Sequence, residues 1–116
     1  MAVHRYVILR HEGIAEPHFD IMVETMPDGP LMTWRSIDWP IVRETNVTRL
    51  GEHRRDYLDY EGPVSGDRGS VKRVAGGSCK IEWQTRHDLL LEIPGGGLHL
   101  QCLDDHHWLA TPHPIA

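Results

Sequence analysis

The sequence has few of the features that place a protein in a familiar class by composition alone. It has only two cysteines, Cys79 and Cys102, and it contains no CxxC pair, no phosphate-cradling glycine loop and no long apolar run. A disulfide-stabilised secreted domain and a membrane-spanning helix are therefore both disfavoured. Because no secretory leader is recognisable, we expect a cytoplasmic protein, with no membrane contact, whose two thiols are free and buried.

The chain also lacks an excess of positive charge. Its formal net charge is -5 at pH 7, which argues against a uniformly basic surface that clamps nucleic acid. Contact with a polyanion would have to be local, at one of two basic clusters. These clusters are Arg49, Arg54 and Arg55, and Arg68, Lys72 and Arg73. At 116 residues, the chain is expected to form a single domain, residues 1–116, with one modest core.

No segment carries a long apolar stripe of helical period with caps. Instead, short alternating runs bounded by glycine, proline and aspartate recur, which is typical of a small barrel or sandwich. Turn sequences occur at 26–30, 75–78 and 94–97. We therefore predict an all-β fold, a small antiparallel β-barrel of about eight strands. The predicted strands lie near residues 5–11, 19–26, 31–38, 69–75, 79–85, 88–93, 97–103 and 106–110.

The stretch 40–69 departs from this pattern, since it is polar, irregular and rich in arginine and aspartate. A loop of this length in a small domain is usually functional or mobile. One short helical turn around residues 51–57 would place His53 and Tyr57 four positions apart on one face.

Three candidate metal ligands lie near the start of the second predicted strand. Alternation along this strand directs His18, Asp20, Met22 and Glu24 to one face, and His11 ends the strand before it. Imidazole nitrogen and carboxylate oxygen suit a divalent ion such as Mn, Zn or Fe(II). Three protein ligands leave positions open for water and substrate, which favours a catalytic site. A solvated strand face would give the same spacing by chance.

Several sequence blocks follow one another in a recognisable order along nearly the whole chain. They are His11-Glu12, then His18-Phe19-Asp20-Ile21-Met22-Val23-Glu24, then Thr33-Trp34-Arg35 with Pro40, then Gly51-Glu52-His53 with Tyr57-Leu58-Asp59-Tyr60-Glu61-Gly62, then a run from Gly66 to Val71. In type, order and spacing they resemble the 3′-phosphoesterase domain of bacterial DNA ligase D. That family reads H-D-x-x-x-x-H-Y-D-F-R-L-E, then S-W-A-V-P-K-G-P, then E-D-H-P-x-x-Y-x-x-F-E-G, then G-x-G-T-V.

The resemblance implies a β-barrel with a metal ion on a concave face, bound by His11, His18 and Asp20. Manganese is the implied ion, with zinc or cobalt as alternatives. His53 and Tyr57 match the family's histidine and tyrosine that contact the scissile phosphate. Glu24 would either orient a ligand imidazole from behind or be an ordinary solvated strand residue.

The resemblance also implies an activity, namely trimming of 3′ ends in DNA repair by non-homologous end joining. A diesterase step would remove a terminal ribonucleoside, and a monoesterase step would then remove the remaining 3′-phosphate. The implied partners are DNA or ribonucleotide-tipped DNA 3′ ends. Ligase and polymerase activities would belong to separate chains, because this sequence contains neither a nucleotidyl-transfer lysine motif nor a polymerase carboxylate pattern.

One departure from the family pattern affects the expected activity. Met22 stands where the family has an arginine that binds phosphate, and a thioether cannot stabilise developing negative charge as a guanidinium does. Losing one such donor costs roughly 2.7–4 kcal/mol of barrier in comparable oxyanion sites. We therefore expect a weakened esterase, and we expect Met22→Arg to raise its activity. The candidate replacements are Arg35, Arg49, Arg54 and Arg68.

Two other classes of protein remain open on the sequence. A barrel that keeps the ion but lacks the arginine would serve as a binding module for a 3′ end or for a protein partner. Two histidines and one carboxylate also describe the facial triad of iron oxidoreductases. The sequence has no obvious arginine pattern for a cosubstrate of such an oxidoreductase.

Overall fold

The structure is a computed structural model that describes residues 4–114. Its regular structure is almost entirely antiparallel β-strand, which confirms the predicted all-β barrel. The strands are β1 (His4–Glu12), β2 (His18–Glu24), β3 (Leu31–Ser36), β4 (Thr45–His53), β5 (Gly62–Pro63), β6 (Ser70–Thr85), β7 (Asp88–Ile93), β8 (Gly96–Asp104) and β9 (His107–Pro112).

Eight of these strands close into a barrel. They pair in the order β1-β2-β3-β4-β9-β8-β7-β6, and β6 pairs back with β1. The closure depends on the length of β6, because its first part pairs with β1 and its last part pairs with β7. The two-residue strand β5 adds to β6 outside the closed barrel.

The first correction concerns β6, which runs unbroken through the turn predicted at 75–78. Gly76 and Gly77 pair with Val7 and Tyr6 of β1, so strand pairing continues across the glycine pair. Gly77 has a φ of +141°, a conformation that L side chains rarely adopt. Glycine lets a strand bend at a barrel corner without losing its partner, which explains why a turn-like sequence lies inside a strand.

The second correction concerns β4, which lies inside the stretch predicted to be irregular. Val47 is the one residue of β4 that is fully buried, so the alternation of apolar and polar residues is weak. Its position in the barrel comes from pairing with β3 and β9. These are contacts that the local sequence does not encode.

The third correction concerns the helical turn predicted around residues 51–57. Residues 51–53 end β4, and a single 3-10 turn covers Arg55–Leu58. His53 and Tyr57 therefore belong to different elements, although their rings still meet with centroids 5.8 Å apart. This 3-10 turn is the only helical segment within residues 4–114, and it is too short to cross a membrane.

Apolar side chains pack against both faces of the β1–β2 hairpin. The interior cluster of the barrel includes Tyr6, Ile8, Ile21, Val23, Trp34, Leu89, Leu100 and Trp108. A second cluster, which we call the outer cluster, consists of Val7, Leu9, Met22, Leu31, Leu58 and Val71. Residues 54–69, here named the covering segment, close the outer cluster with Leu58 and the half-buried Tyr57 and Val64. The outward-facing polar residues of β2 therefore border an apolar cluster and not open solvent.

Candidate metal centre

Two histidines from adjacent strands meet at one end of the β1–β2 hairpin. His11 and His18 are paired directly across the hairpin, and their ring centroids are 4.9 Å apart. Asp20 follows His18 by two residues and therefore lies on the same face of β2. One ligand atom from each of the three residues lies within 4.8 Å of the others. The structure thus brings the three predicted ligands together on the outer face of the barrel.

His18 presents an unpaired nitrogen inside the protein. Its Nδ1 donates a hydrogen bond to the carbonyl oxygen of Glu16 at 2.9 Å, which places the lone pair of the ring on Nε2. That Nε2 is buried 3.4 Å from Oδ2 of Asp20, and it has no hydrogen-bond partner among residues 4–114. A lone pair that faces a carboxylate is unfavourable unless a proton or a cation lies between them.

Asp20 has an unpaired atom of its own. Its side chain is only 6% exposed, and Oδ1 has no hydrogen-bond partner in the described part of the chain. A buried carboxylate in proteins is normally paired or coordinates a metal. Two imidazole nitrogens and one carboxylate oxygen, two of these donors buried and unsatisfied, therefore fit a divalent ion.

His11 is held by the covering segment. Its Nε2 donates a hydrogen bond to the carbonyl oxygen of Arg68 at 2.7 Å, which leaves Nδ1 with the lone pair. Gly69, the next residue, lets the covering segment pass close to the end of β1, since a Cβ atom there would lie 2.0 Å from the carbonyl oxygen of Glu12. Backbone carbonyls therefore fix the rings of both histidines, as is usual for imidazoles that ligate metals.

A guanidinium group lies beside the carboxylate of the cluster. Arg35 of β3 is the strand partner of Asp20, and its Nε lies 3.9 Å from Oδ1, beyond hydrogen-bonding distance. The side chain of Arg35 is 45% exposed. The guanidinium is therefore accessible to solvent at the edge of the cluster.

The carboxylate of Glu24 is hydrogen-bonded to residues outside the candidate metal centre. It accepts hydrogen bonds from the side chain of Arg55 and from the backbone N–H of Arg5. Burial by itself would raise the pKa of Glu24, but the hydrogen bond and the charge of Arg55, together with backbone donors, lower that pKa overall. These contacts tie the 3-10 turn to β2, and none of the hydrogen bonds of the Glu24 carboxylate goes to His11 or His18.

Met22 lies between Asp20 and Glu24 on the outer face of β2. It is 1% exposed and packs in the outer cluster beside Leu9 and Leu58. The thioether therefore takes part in apolar packing under the covering segment. It does not face an open anion site.

His53 and Tyr57 form a second group further along the outer face. Leu31 of β3 pairs with both Glu24 of β2 and His53 of β4, so the backbone of His53 is level with Glu24. At a rise of about 3.4 Å per residue, this level is about 20 Å along β2 from His18. The structure thus brings His53 and Tyr57 to each other, at a distance from the three ligands along the strand.

Three contacts of the centre were not predicted from the sequence. The carbonyl groups that fix His18 and His11 belong to Glu16 and Arg68, and a backbone carbonyl has no signal in the side-chain sequence. The sequence predicted Arg35 only as one of four arginines that could replace the family's phosphate-binding arginine. Its place beside Asp20 follows from the register of the β2–β3 hairpin, which the turn at 26–30 could have indicated.

Comparison with known proteins adds no family assignment. No protein-family model matches the chain, and no curated protein matches it. The resemblance to 3′-phosphoesterase domains therefore rests on the sequence blocks quoted above.

Proposed function

We propose that this chain is a metal-dependent phosphoesterase that trims the 3′ ends of DNA or of ribonucleotide-tipped DNA during end-joining repair. The observation that carries the proposal is the cluster of His11, His18 and Asp20, in which His18 Nε2 and Asp20 Oδ1 are buried without a hydrogen-bond partner among residues 4–114. The order of the sequence blocks supports the substrate class. Manganese is the proposed ion, with zinc or cobalt as alternatives.

Each group has a proposed task in the reaction. His11, His18 and Asp20 would hold a divalent ion, which would supply Lewis-acid chemistry by polarising a phosphoryl oxygen and lowering the pKa of a bound water molecule. Hydrolysis of a 3′-phosphate by water breaks the bond between phosphorus and the 3′ oxygen, and releases inorganic phosphate and a 3′-hydroxyl. His53 and Tyr57 are the candidates for further hydrogen bonds to the substrate. Their position level with Glu24, about 20 Å along β2 from His18, would restrict them to a part of the substrate remote from the reacting ester.

A second candidate function is a metal-containing binding module that recognises a 3′ end or a protein partner without turnover. The observation in its favour is Met22, which fills the outer cluster where the resembling family has a phosphate-binding arginine. Without that guanidinium on β2, the barrel could bind a 3′ end and yet fail to stabilise the transition state of hydrolysis.

Turnover of defined primers distinguishes the two functions. Purified protein is incubated with manganese and a primer that ends in a 3′-phosphate or in a single ribonucleotide. We expect the wild-type chain to produce a 3′-hydroxyl and His18→Ala to produce none. His87→Ala is the matched control, because His87 is an exposed histidine in the turn between β6 and β7, and this variant should retain activity.

Thermal unfolding gives a second readout that does not depend on turnover. An ion that binds only the folded state raises the Tm of the protein. Manganese should therefore raise the Tm of the wild type and of His87→Ala, and it should leave the Tm of His18→Ala unchanged. Tight primer binding without product would favour the binding module. Iron-dependent oxygen uptake without product would favour an oxidoreductase, and a Tm that is indifferent to every divalent ion would contradict the metal site itself.

A further inference from the structure

Among residues 4–114, the guanidinium of Arg35 donates no hydrogen bond and makes only a long ion-pair contact with the buried Asp20. The Nε atom is 3.9 Å from Asp20 Oδ1, and the hydrogen bonds of the described residues include none from this guanidinium. Arg55, by contrast, bonds to Glu24 and to the carbonyl oxygen of Gly29. The donors of Arg35 are therefore available to an external acceptor at the edge of the candidate metal centre.

The other arginines that were predicted as replacements for the family's phosphate ligand are engaged or placed elsewhere. Arg68 donates hydrogen bonds from its guanidinium to the carbonyl and hydroxyl oxygens of Ser65. Arg49 lies over the ring of Trp34, with its Cζ 5.6 Å from the ring centroid. Arg54 lines a separate pocket with the two tyrosines of the covering segment. Arg68 meets His11 only through its backbone carbonyl, whereas Arg35 brings its guanidinium to within 3.9 Å of the Asp20 carboxylate.

We propose that Arg35 binds a phosphoryl oxygen of the substrate beside the three ligands, so that β3 supplies the guanidinium that β2 lacks at Met22. This inference rests on the proposed function. The register supports it, because Arg35 pairs with Asp20 while Thr33 pairs with Met22, which makes Arg35 a diagonal neighbour of Met22 on the same face. A guanidinium offers forked donors that match two oxygens of one phosphoryl group.

Exposure and charge fit this role. A purely structural partner of Asp20 would hydrogen-bond to it, whereas Arg35 stays beyond hydrogen-bonding distance and keeps nearly half of its side chain in solvent. When the negative charge of Asp20 is shared with a cation, its attraction for the guanidinium weakens. The guanidinium would then bind an anionic ligand on the solvent-exposed side of the centre with less competition from Asp20.

Binding of inorganic phosphate to the manganese-loaded full chain tests the proposal. Calorimetric titrations compare the wild type with Arg35→Gln and Arg35→Lys. Arg86→Gln is the matched control, since it removes one positive charge from an exposed turn. We expect Arg35→Gln to weaken phosphate binding by roughly 10- to 100-fold and Arg35→Lys to weaken it less, because lysine keeps the charge and loses the fork. Arg35→Gln should bind manganese at least as tightly as the wild type, because it removes a positive charge from beside a proposed ligand, whereas Arg35→Lys and Arg86→Gln should leave manganese affinity close to that of the wild type.

Each alternative outcome has a defined meaning. Unchanged phosphate affinity in Arg35→Gln, or an equal loss in Arg86→Gln, would overturn the role of Arg35. Loss of manganese affinity in Arg35→Gln would also overturn it, since the residue would then act through Asp20. A wild type that binds no manganese overturns the inference together with the metal centre. If the expected pattern appears but primers are not cleaved, the esterase proposal fails and the assignment of Arg35 stands.

Discussion

On the outer face of β2, very different environments follow one another within five residues. Asp20 is buried beside an imidazole nitrogen that has no hydrogen-bond partner within residues 4–114, Met22 is packed among apolar side chains, and Glu24 is paired with Arg55. The same alternation that puts these side chains on one face gives each of them different neighbours. A substitution here therefore has to be judged residue by residue and not by its strand.

Met22→Arg is the substitution for which burial changes the expectation. The sequence alone predicts a gain of activity, but the buried position of Met22 places a new guanidinium in the outer cluster without a partner. We now expect a loss of about 3 kcal/mol or more in the free energy of unfolding, measured by urea titration. Met22→Leu is the control, since a swap that conserves volume should cost less than about 1.5 kcal/mol. A Met22→Arg protein with wild-type stability and higher activity would show that the covering segment opens to admit the arginine.

At the scale of elements, the covering segment supports the candidate metal centre through one tight contact. Gly69→Ala would place a Cβ 2.0 Å from the carbonyl oxygen of Glu12 at a φ of +73°, so the backbone must move and with it the Arg68 carbonyl that fixes His11. We expect manganese affinity to fall roughly 10- to 100-fold, as calorimetry would measure.

Gly66→Ala is the matched control for that contact. Gly66 lies in the same segment with a φ of +77°, but the nearest atom to an added Cβ is Nε of Arg68 at 3.5 Å. This variant should lose roughly 1–2 kcal/mol of stability from backbone strain and should keep its manganese affinity. Equal affinity losses in both variants would mean that strain in the segment, and not the hold on His11, governs metal binding.

The ion pair that ties the 3-10 turn to β2 predicts a pH dependence. Because the pKa of Glu24 is lowered in the folded protein, its charge stabilises the fold above the unfolded pKa of about 4.3, and this contribution is lost as the pH falls through the lower folded value. At pH 7, Glu24→Gln should be less stable than the wild type by about 1–3 kcal/mol in urea titrations.

The same measurements at acid pH complete this prediction. The difference between the wild type and Glu24→Gln should narrow towards pH 3, because the unfolded chain takes up a proton at Glu24 more readily than the folded protein does. Glu82→Gln, at an exposed position of β6, should show little difference from the wild type at either pH. A gap for Glu24→Gln that stays constant from pH 7 to pH 3 would contradict the assigned role of the Glu24 charge.

The elements also show what a sequence can and cannot predict. Alternation along β2 was sufficient to put His18 and Asp20 on one face and Ile21 on the other, because a strand has a strict period of two. The interval 45–53 gave no such signal, since Val47 is its one fully buried side chain. The meeting of His11 with His18 and of Arg35 with Asp20 depends on the register between strands, which no single segment contains.

At the scale of the whole molecule, the β1–β2 hairpin separates the interior cluster from the outer cluster. The interior cluster draws on nearly every strand of the barrel, whereas the outer cluster joins β1, β2, β3 and β6 to the covering segment. The three candidate metal ligands lie on the face of the hairpin that carries the outer cluster. We therefore infer that the stability of the barrel comes mainly from the interior cluster, whereas the proposed metal site depends on the outer face of the hairpin.

Thiol labelling tests whether the interior opens as a unit. Cys79 is buried in the interior cluster, and burial, with a smaller effect from the charge of Glu24, raises the pKa of its thiol to about 12. A protonated, enclosed thiol does not react with iodoacetamide, so Cys79 should be labelled only at the rate of global unfolding, as peptide mass spectrometry would measure. Cys102 is half-buried and should react sooner. Equal rates for both thiols in native buffer would reveal local separation of β6 from its neighbours.

The candidate ligands His11, His18 and Asp20 lie on the outer face of the β1–β2 hairpin, and this position affects how variants of the protein should be screened. A substitution at His11 or Arg35 leaves the interior untouched, so a survey that scores only cellular abundance would record it as harmless. If the proposed site is correct, damage to it would become visible only when binding of manganese or of phosphate is measured alongside the amount of folded chain.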